Sequence, residues 1–102
     1  MPFRLIRRSV QRAGRLIPRE ARRLRGRSIA LNPGGVMPWH STGTREEVLV
    51  VLSGRLELRL GEDSDGRTVQ LAAHHSVFLP RDTRHSLRNP ARAIARYLYF
   101  TA

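Results

Sequence analysis

The sequence has no cysteine and no lysine. Without cysteine there can be no disulfide staple and no thiolate metal site, so any metal must be held by imidazole, carboxylate or hydroxyl oxygen. Without lysine, all 19 basic residues are arginine, set against only eight acidic ones, for a net charge of +11. Aromatic residues are few: three Phe, two Tyr and one Trp. No run of about 18 apolar residues occurs, so no membrane-spanning helix is expected. A secretory signal needs an apolar stretch of roughly 7–15 residues; here arginine interrupts the leading segment every few positions, and none is expected. A transit peptide fits the Arg-rich, acid-poor start, but Ser9 is its only serine before Ser28. A cytoplasmic setting and a single domain are the expectation for these 102 residues.

The charge is uneven. Residues 1–28 hold ten Arg and one Glu, a net +9, while residues 29–102 hold nine Arg and seven acidic residues, a net +2. The high basicity therefore belongs to a leader, residues 1–27, and the domain at 28–102 has an ordinary composition. Within the leader Ile6, Val10, Ala13 and Ile17 recur at helical spacing, and Pro18 would end that helix near Ile17. A second helical turn at residues 20–24 is compatible with the pattern. The leader is thus read either as helical or as a disordered charged tail. Nucleic acid or an anionic surface could bind such a leader, but a solvated tail is the preferred reading, since Phe3 is its only aromatic.

From Ser28 onward the pattern becomes short strands separated by turns. Strands are expected at residues 28–31, 36–41, 47–52, 55–60, 67–71, 76–79, 85–89 and 94–101. Asn32-Pro33-Gly34-Gly35 and Ser53-Gly54 supply turns. Residues 47–52 are apolar on both faces and predict a strand buried on both sides. Residues 55–60 alternate cleanly, with Leu56, Leu58 and Leu60 on one face. Residues 61–66 are read as a solvated turn, lacking the ligand series of a calcium loop. The pattern is all-β, a sandwich or barrel.

Three residues stand out chemically. Strand alternation places Glu47 on the face of Leu49 and Val51, where a carboxylate is costly unless it is paired or meets a cation. Glu46 points the other way. His85 shares a face with Leu87 and Asn89, after the turn at residues 80–84. With His40, these form two imidazoles and one carboxylate from separate strands, the donor set of a facial triad with open positions.

The same residues carry a family resemblance. Gly34, His40, Glu47 and Gly54 match the first cupin motif: Gly, five residues, His-x-His, three or four residues, Glu, six residues, Gly. Pro80, Asp82, His85 and Asn89 match the second: Gly, five residues, Pro-x-Gly, two residues, His, three residues, Asn. Thr42 stands where the second motif-one histidine is usual, and His74 and Asp82 stand at the two glycine positions of motif two. The chain resembles a small single-domain cupin (RmlC-like cupin superfamily). That resemblance implies a double-stranded β-helix, or jelly-roll barrel, at residues 28–102.

It further implies a metal site at His40, Glu47 and His85, with Thr42, Asn89 and Tyr97 as pocket or supporting residues. The metal would be a divalent transition ion, Fe, Mn, Ni, Co or Zn, because N/O ligation alone does not choose among them. The catalytic residues are unknown and the enzyme question is open. The ligand would be an unidentified small molecule, acted on or sensed. The alternative is a metal-free small-molecule-binding cupin module in which the three residues form a hydrogen-bonded network. His74 and His75 are expected to be exposed turn residues, and Trp39 a packing or oligomer contact. A homodimer is expected because so small a barrel has little core and open sheet edges.

Overall fold

The computed structural model describes residues 5–61 and 66–102. Its strands are β1 (Gly14–Arg15), β2 (Arg25–Leu31), β3 (Val36–Ser41), β4 (Glu47–Ser53), β5 (Arg55–Leu60), β6 (Arg67–Ala72), β7 (Ser76–Leu79), β8 (Arg84–Arg88) and β9 (Ala95–Thr101). They form a five-stranded sheet, β1-β2-β9-β4-β7, and a four-stranded sheet, β3-β8-β5-β6. Every pairing is antiparallel. The core lies between the sheets and includes Leu49, Val51, Leu56, Leu58, Leu87 and Tyr97. The all-β jelly-roll expectation holds, and the strands expected from Ser28 onward are present within a few residues. The turn read at residues 61–66 lies for the most part, at residues 62–65, outside the described residues.

The leader departs from the helical expectation. No helix occurs among the described residues. Instead β1 pairs with β2, Gly14 opposite Ser28 and Arg15 opposite Arg27. The chain before β1 is also tied down: Ser28 Oγ donates to the Val10 carbonyl at 2.6 Å, and Arg96 donates to the Gln11 carbonyl at 3.0 Å. The apolar stripe was real, but a helix would place Arg8 beside Arg12, Arg15 beside Arg19 and Arg19 beside Arg23, four residues apart. Like charges at that spacing destabilise a helix that is marginal at this length. The free edge of β2 offers backbone partners instead, and the leader covers it.

A second departure concerns β4. Glu47, Leu49 and Val51 are buried, but Val48 is exposed on the outer face. The strand has one core face; its outer apolar row, Val48 opposite Phe78 and Phe100, lies on the outside of the sheet. Among the described residues no helix is long and apolar enough to cross a membrane.

Turns fix where the strands end. Gly34 and Gly54 adopt φ of 74° and 80°. A Cβ at Gly54 would meet the Ala95 Cα at 2.9 Å, so both backbone angle and space require glycine there. His74 and Asp82 also have positive φ, 74° and 56°. These are the two positions where the second motif carries glycine, and His and Asp are among the side chains that tolerate this region best.

Candidate metal centre

Glu47 opens β4 and points inward with Leu49 and Val51; it is buried. His85, on β8, is buried between the sheets. His40, on β3, lies directly opposite His85. Simple alternation would put Met37 and His40 on opposite faces. A β-bulge intervenes: Met37 faces Leu87 and His40 faces His85, so three steps on β3 match two on β8. The extra residue falls at Pro38-Trp39, where a proline without an N–H is tolerated in a sheet. The bulge turns both Met37 and His40 into one cavity of about 260 Å³, shared with Glu47, His85 and Tyr97.

One ligand atom from each of His40, Glu47 and His85 lies within 4.8 Å of the others. His85 Nε2 is 3.7 Å from a Glu47 carboxylate oxygen, and the two imidazole centroids are 4.2 Å apart. Each imidazole is held from behind. His40 Nδ1 lies 2.9 Å from the Pro38 carbonyl, and His85 Nδ1 lies 3.0 Å from the Thr83 carbonyl. A carbonyl only accepts, so each Nδ1 carries a proton and the neutral ring keeps its Nε2 lone pair. Second partners of this kind orient metal-binding histidines.

Electrostatics agree with that arrangement. Burial pushes the Glu47 carboxyl above its ordinary value, while His40 pulls it back. Burial pushes His85 below its ordinary value; the Thr83 carbonyl opposes this and His40 adds to it. A buried carboxylate beside a His85 that burial disfavours as a cation is short of positive charge, which a divalent ion would supply. Ligands about 2.0–2.2 Å from one ion lie roughly 3–4 Å apart, so these donors need only small adjustment. The residues present therefore fit a metal.

Thr42 lines the same cavity, but its hydroxyl is already committed. Oγ1 donates to the Pro80 carbonyl at 2.7 Å and accepts from the Thr83 N–H at 3.0 Å. It ties β3 to the turn that aims His85. Asn89 is fully buried and not among the cavity's lining residues. Its amide nitrogen donates to the Leu31 and Ala93 carbonyls and its oxygen accepts from the Ala91 N–H. Tyr97 lines the cavity, its hydroxyl buried without a hydrogen-bond partner among the described residues. Burial, then Tyr99 and Glu47, push that phenol far above its ordinary range.

Tyr99, expected from the sequence as core or pocket wall, lines the cavity, as do Thr101 and Arg45, which the sequence reading missed. Alternation from Tyr97 along β9 points to Thr101. Arg45 carries no such signal: it sits in a loop and is placed by donating to Thr101 and to the Arg23 carbonyl. His74 and His75 are exposed in the β6–β7 turn, Glu46 is exposed and Trp39 is half-buried.

A family model described as Cupin domain matches residues 27–101. The chain belongs to the cupin family. Among solved cupin-fold structures, the Schizosaccharomyces pombe Cnp3 cupin domain is similar, with a TM-score of 0.77 at 17% identity. That match covers 88% of this cupin and 62% of the Cnp3 chain, so the present chain spans less than two thirds of it. TT1209 from Thermus thermophilus gives 0.72 at 26% identity, covering 96% of this chain and 90% of the other. An oxalate oxidase gives 0.69 at 20% identity, covering 76% and 41%. The likenesses to Cnp3 and oxalate oxidase speak to the fold alone. A comparison with curated proteins found no match.

Proposed function

We propose that this cupin binds one divalent transition metal through His40, Glu47 and His85 and holds a small oxygen-bearing molecule at the positions left open. The observation that carries the reading is the convergence of three donors in one cavity, with both Nδ1 atoms bound to backbone carbonyls. Three protein ligands with room for more is the pattern of a working site rather than a closed structural one. When bound, the metal would supply Lewis-acid or redox chemistry to the held molecule. The chain's own part is to exclude water with Met37, Leu49 and Leu87 and to orient the ligand beside Tyr97.

Elemental analysis of untagged protein, purified without chelator, tests this. The parent should carry close to one metal per chain and His85→Ala almost none. Negligible metal in the parent, after supply of each candidate ion, would overturn it. The second reading, a metal-free binding module, is favoured by one observation: the Thr42 hydroxyl is spent on the turn and replaces no imidazole.

We also propose a homodimer through the outer face of the five-stranded sheet, where Phe78 is 58% exposed beside Val48. A stable monomer by light scattering contradicts that proposal.

A further inference from the structure

A second and larger hollow, about 820 Å³, lies between the leader and the barrel. Arg15, Arg19, Arg25, Arg27 and Arg45 line it, and no lining residue is acidic. Arg25 and Arg45 are held in place. Arg25 donates to the Ala21 and Leu24 carbonyls, and Arg45 to Thr101 and the Arg23 carbonyl. The side chains of Arg15, Arg19 and Arg27 have no hydrogen-bond or ion-pair partner among the described residues.

Sheet register makes this grouping costly as it stands. Arg15 and Arg27 are directly opposite each other on β1 and β2. Like charges directly opposite across an antiparallel pair repel. The register also shows which way the cleft faces. Ile29 and Leu31 of β2 pack against the core, and Arg27 and Arg25 continue their side of the strand. Arg25 stands opposite Thr101, which stands opposite Glu47; Arg27 stands opposite Tyr99. One face of one sheet thus carries the metal ligand Glu47 on β4 and the arginines two strands away, roughly 10 Å at ordinary strand spacing. Arg45, Tyr99 and Thr101 line both hollows.

We propose that the arginine cleft is the recognition subsite for a small organic anion, bearing a carboxylate or phosphate, whose other end reaches the His40, Glu47 and His85 cavity. The reach into that cavity rests on the metal-site reading; the anion subsite does not. An anion between Arg15 and Arg27 would turn their repulsion into paired charge-assisted hydrogen bonds, which the planar guanidinium is shaped to give. Arg45 and Thr101 would pass the rest of the molecule toward Glu47.

Titration calorimetry on the full chain tests this. The probes are inorganic phosphate and succinate, each titrated into chelator-treated protein and into protein reloaded with manganese. Both variants to compare, Arg15→Gln and Arg27→Gln, lie outside the proposed ligand set, and thermal unfolding should show them at least as stable as the parent. The proposal expects one or both anions to bind with and without manganese. Each variant should weaken binding about tenfold, the scale of one hydrogen bond to a charged group. Succinate binding without phosphate binding identifies a carboxylate, and the reverse a phosphate. Failure of both probes to bind, or affinity unchanged in both variants, overturns the subsite. So does Arg15- and Arg27-dependent binding of a single-stranded oligonucleotide that neither small anion displaces. If the anions bind through the arginines but the protein takes up none of the candidate ions, the metal reading fails and the subsite stands. If manganese binds and the arginines do not matter, the reverse holds.

Discussion

The molecule holds two pairs of histidines, and they behave as different chemical objects. His40 and His85 come from neighbouring strands, face each other across a register pair and meet Glu47 in a shared cavity. His74 and His75 are adjacent in sequence and sit in the β6–β7 turn, exposed as His40 is but with no carboxylate partner grouped with them among the described residues. The turn pair has backbone duties: His74 holds a positive φ, and His75 Nδ1 accepts from the Ala72 N–H at 3.0 Å. An imidazole becomes a candidate ligand through what fixes its second nitrogen and what faces its first, and nearness in sequence supplies neither.

The strongest way to break this comparison is to remove one member of the cavity pair. At a metal concentration of about 100 times the dissociation constant, binding stabilises the folded state by about 2.7 kcal/mol. In a domain of this size that is a rise in Tm on the order of 10–20 °C. His85→Ala should abolish the rise in a thermal-shift assay, whereas the double variant His74→Ala, His75→Ala should keep it in full.

Glu47→Gln separates binding from stability. It should also lose the metal-induced rise, yet be more stable than the parent when both are metal-free, because it removes a buried carboxylate without a cation. The pH profile of metal-free protein follows from the two shifts. Glu47 is raised from 4.5, so its contribution is full below that value and is lost as pH rises through the raised one. His85 is lowered from 6.5, so stability is full above that value and is lost as pH falls toward the depressed one. Denaturant titrations across pH should show Glu47→Gln flattening the first slope and keeping the second.

Smaller effects belong to the turn. His74→Gly relieves a left-handed backbone and should stabilise by about 1 kcal/mol. His75→Ala gives up one partly exposed hydrogen bond and should cost about 0.5 kcal/mol. Neither should alter metal content, and a loss of metal in either would erase the distinction between the pairs.

Much of the barrel was legible because strand alternation is a local signal. Leu56, Leu58 and Leu60 mark a core face without knowledge of the partner strands, and the resemblance to the two cupin motifs grouped His40, Glu47 and His85. What escaped depends on non-local facts. The leader's stripe suggested a helix because periodicity does not weigh the repulsion among Arg8, Arg12, Arg15 and Arg19, nor the open edge of β2. The apolar outer row of β4 suggested burial on both faces, but only the fold shows that Val48 is left exposed among the described residues. The bulge at Pro38-Trp39 escapes alternation altogether, and without it His40 would face away from Met37. Arg45 reaches the cavity from a loop through hydrogen bonds to residues distant in sequence.

The central claim is that one ion is held by the Nε2 atoms of His40 and His85 and the carboxylate of Glu47. Anomalous diffraction from crystals of metal-loaded protein measures this directly. The account requires a single strong peak within bonding distance, about 2.0–2.2 Å, of all three groups. A peak at His74 and His75 instead, or none at the cavity under saturating metal, would contradict it.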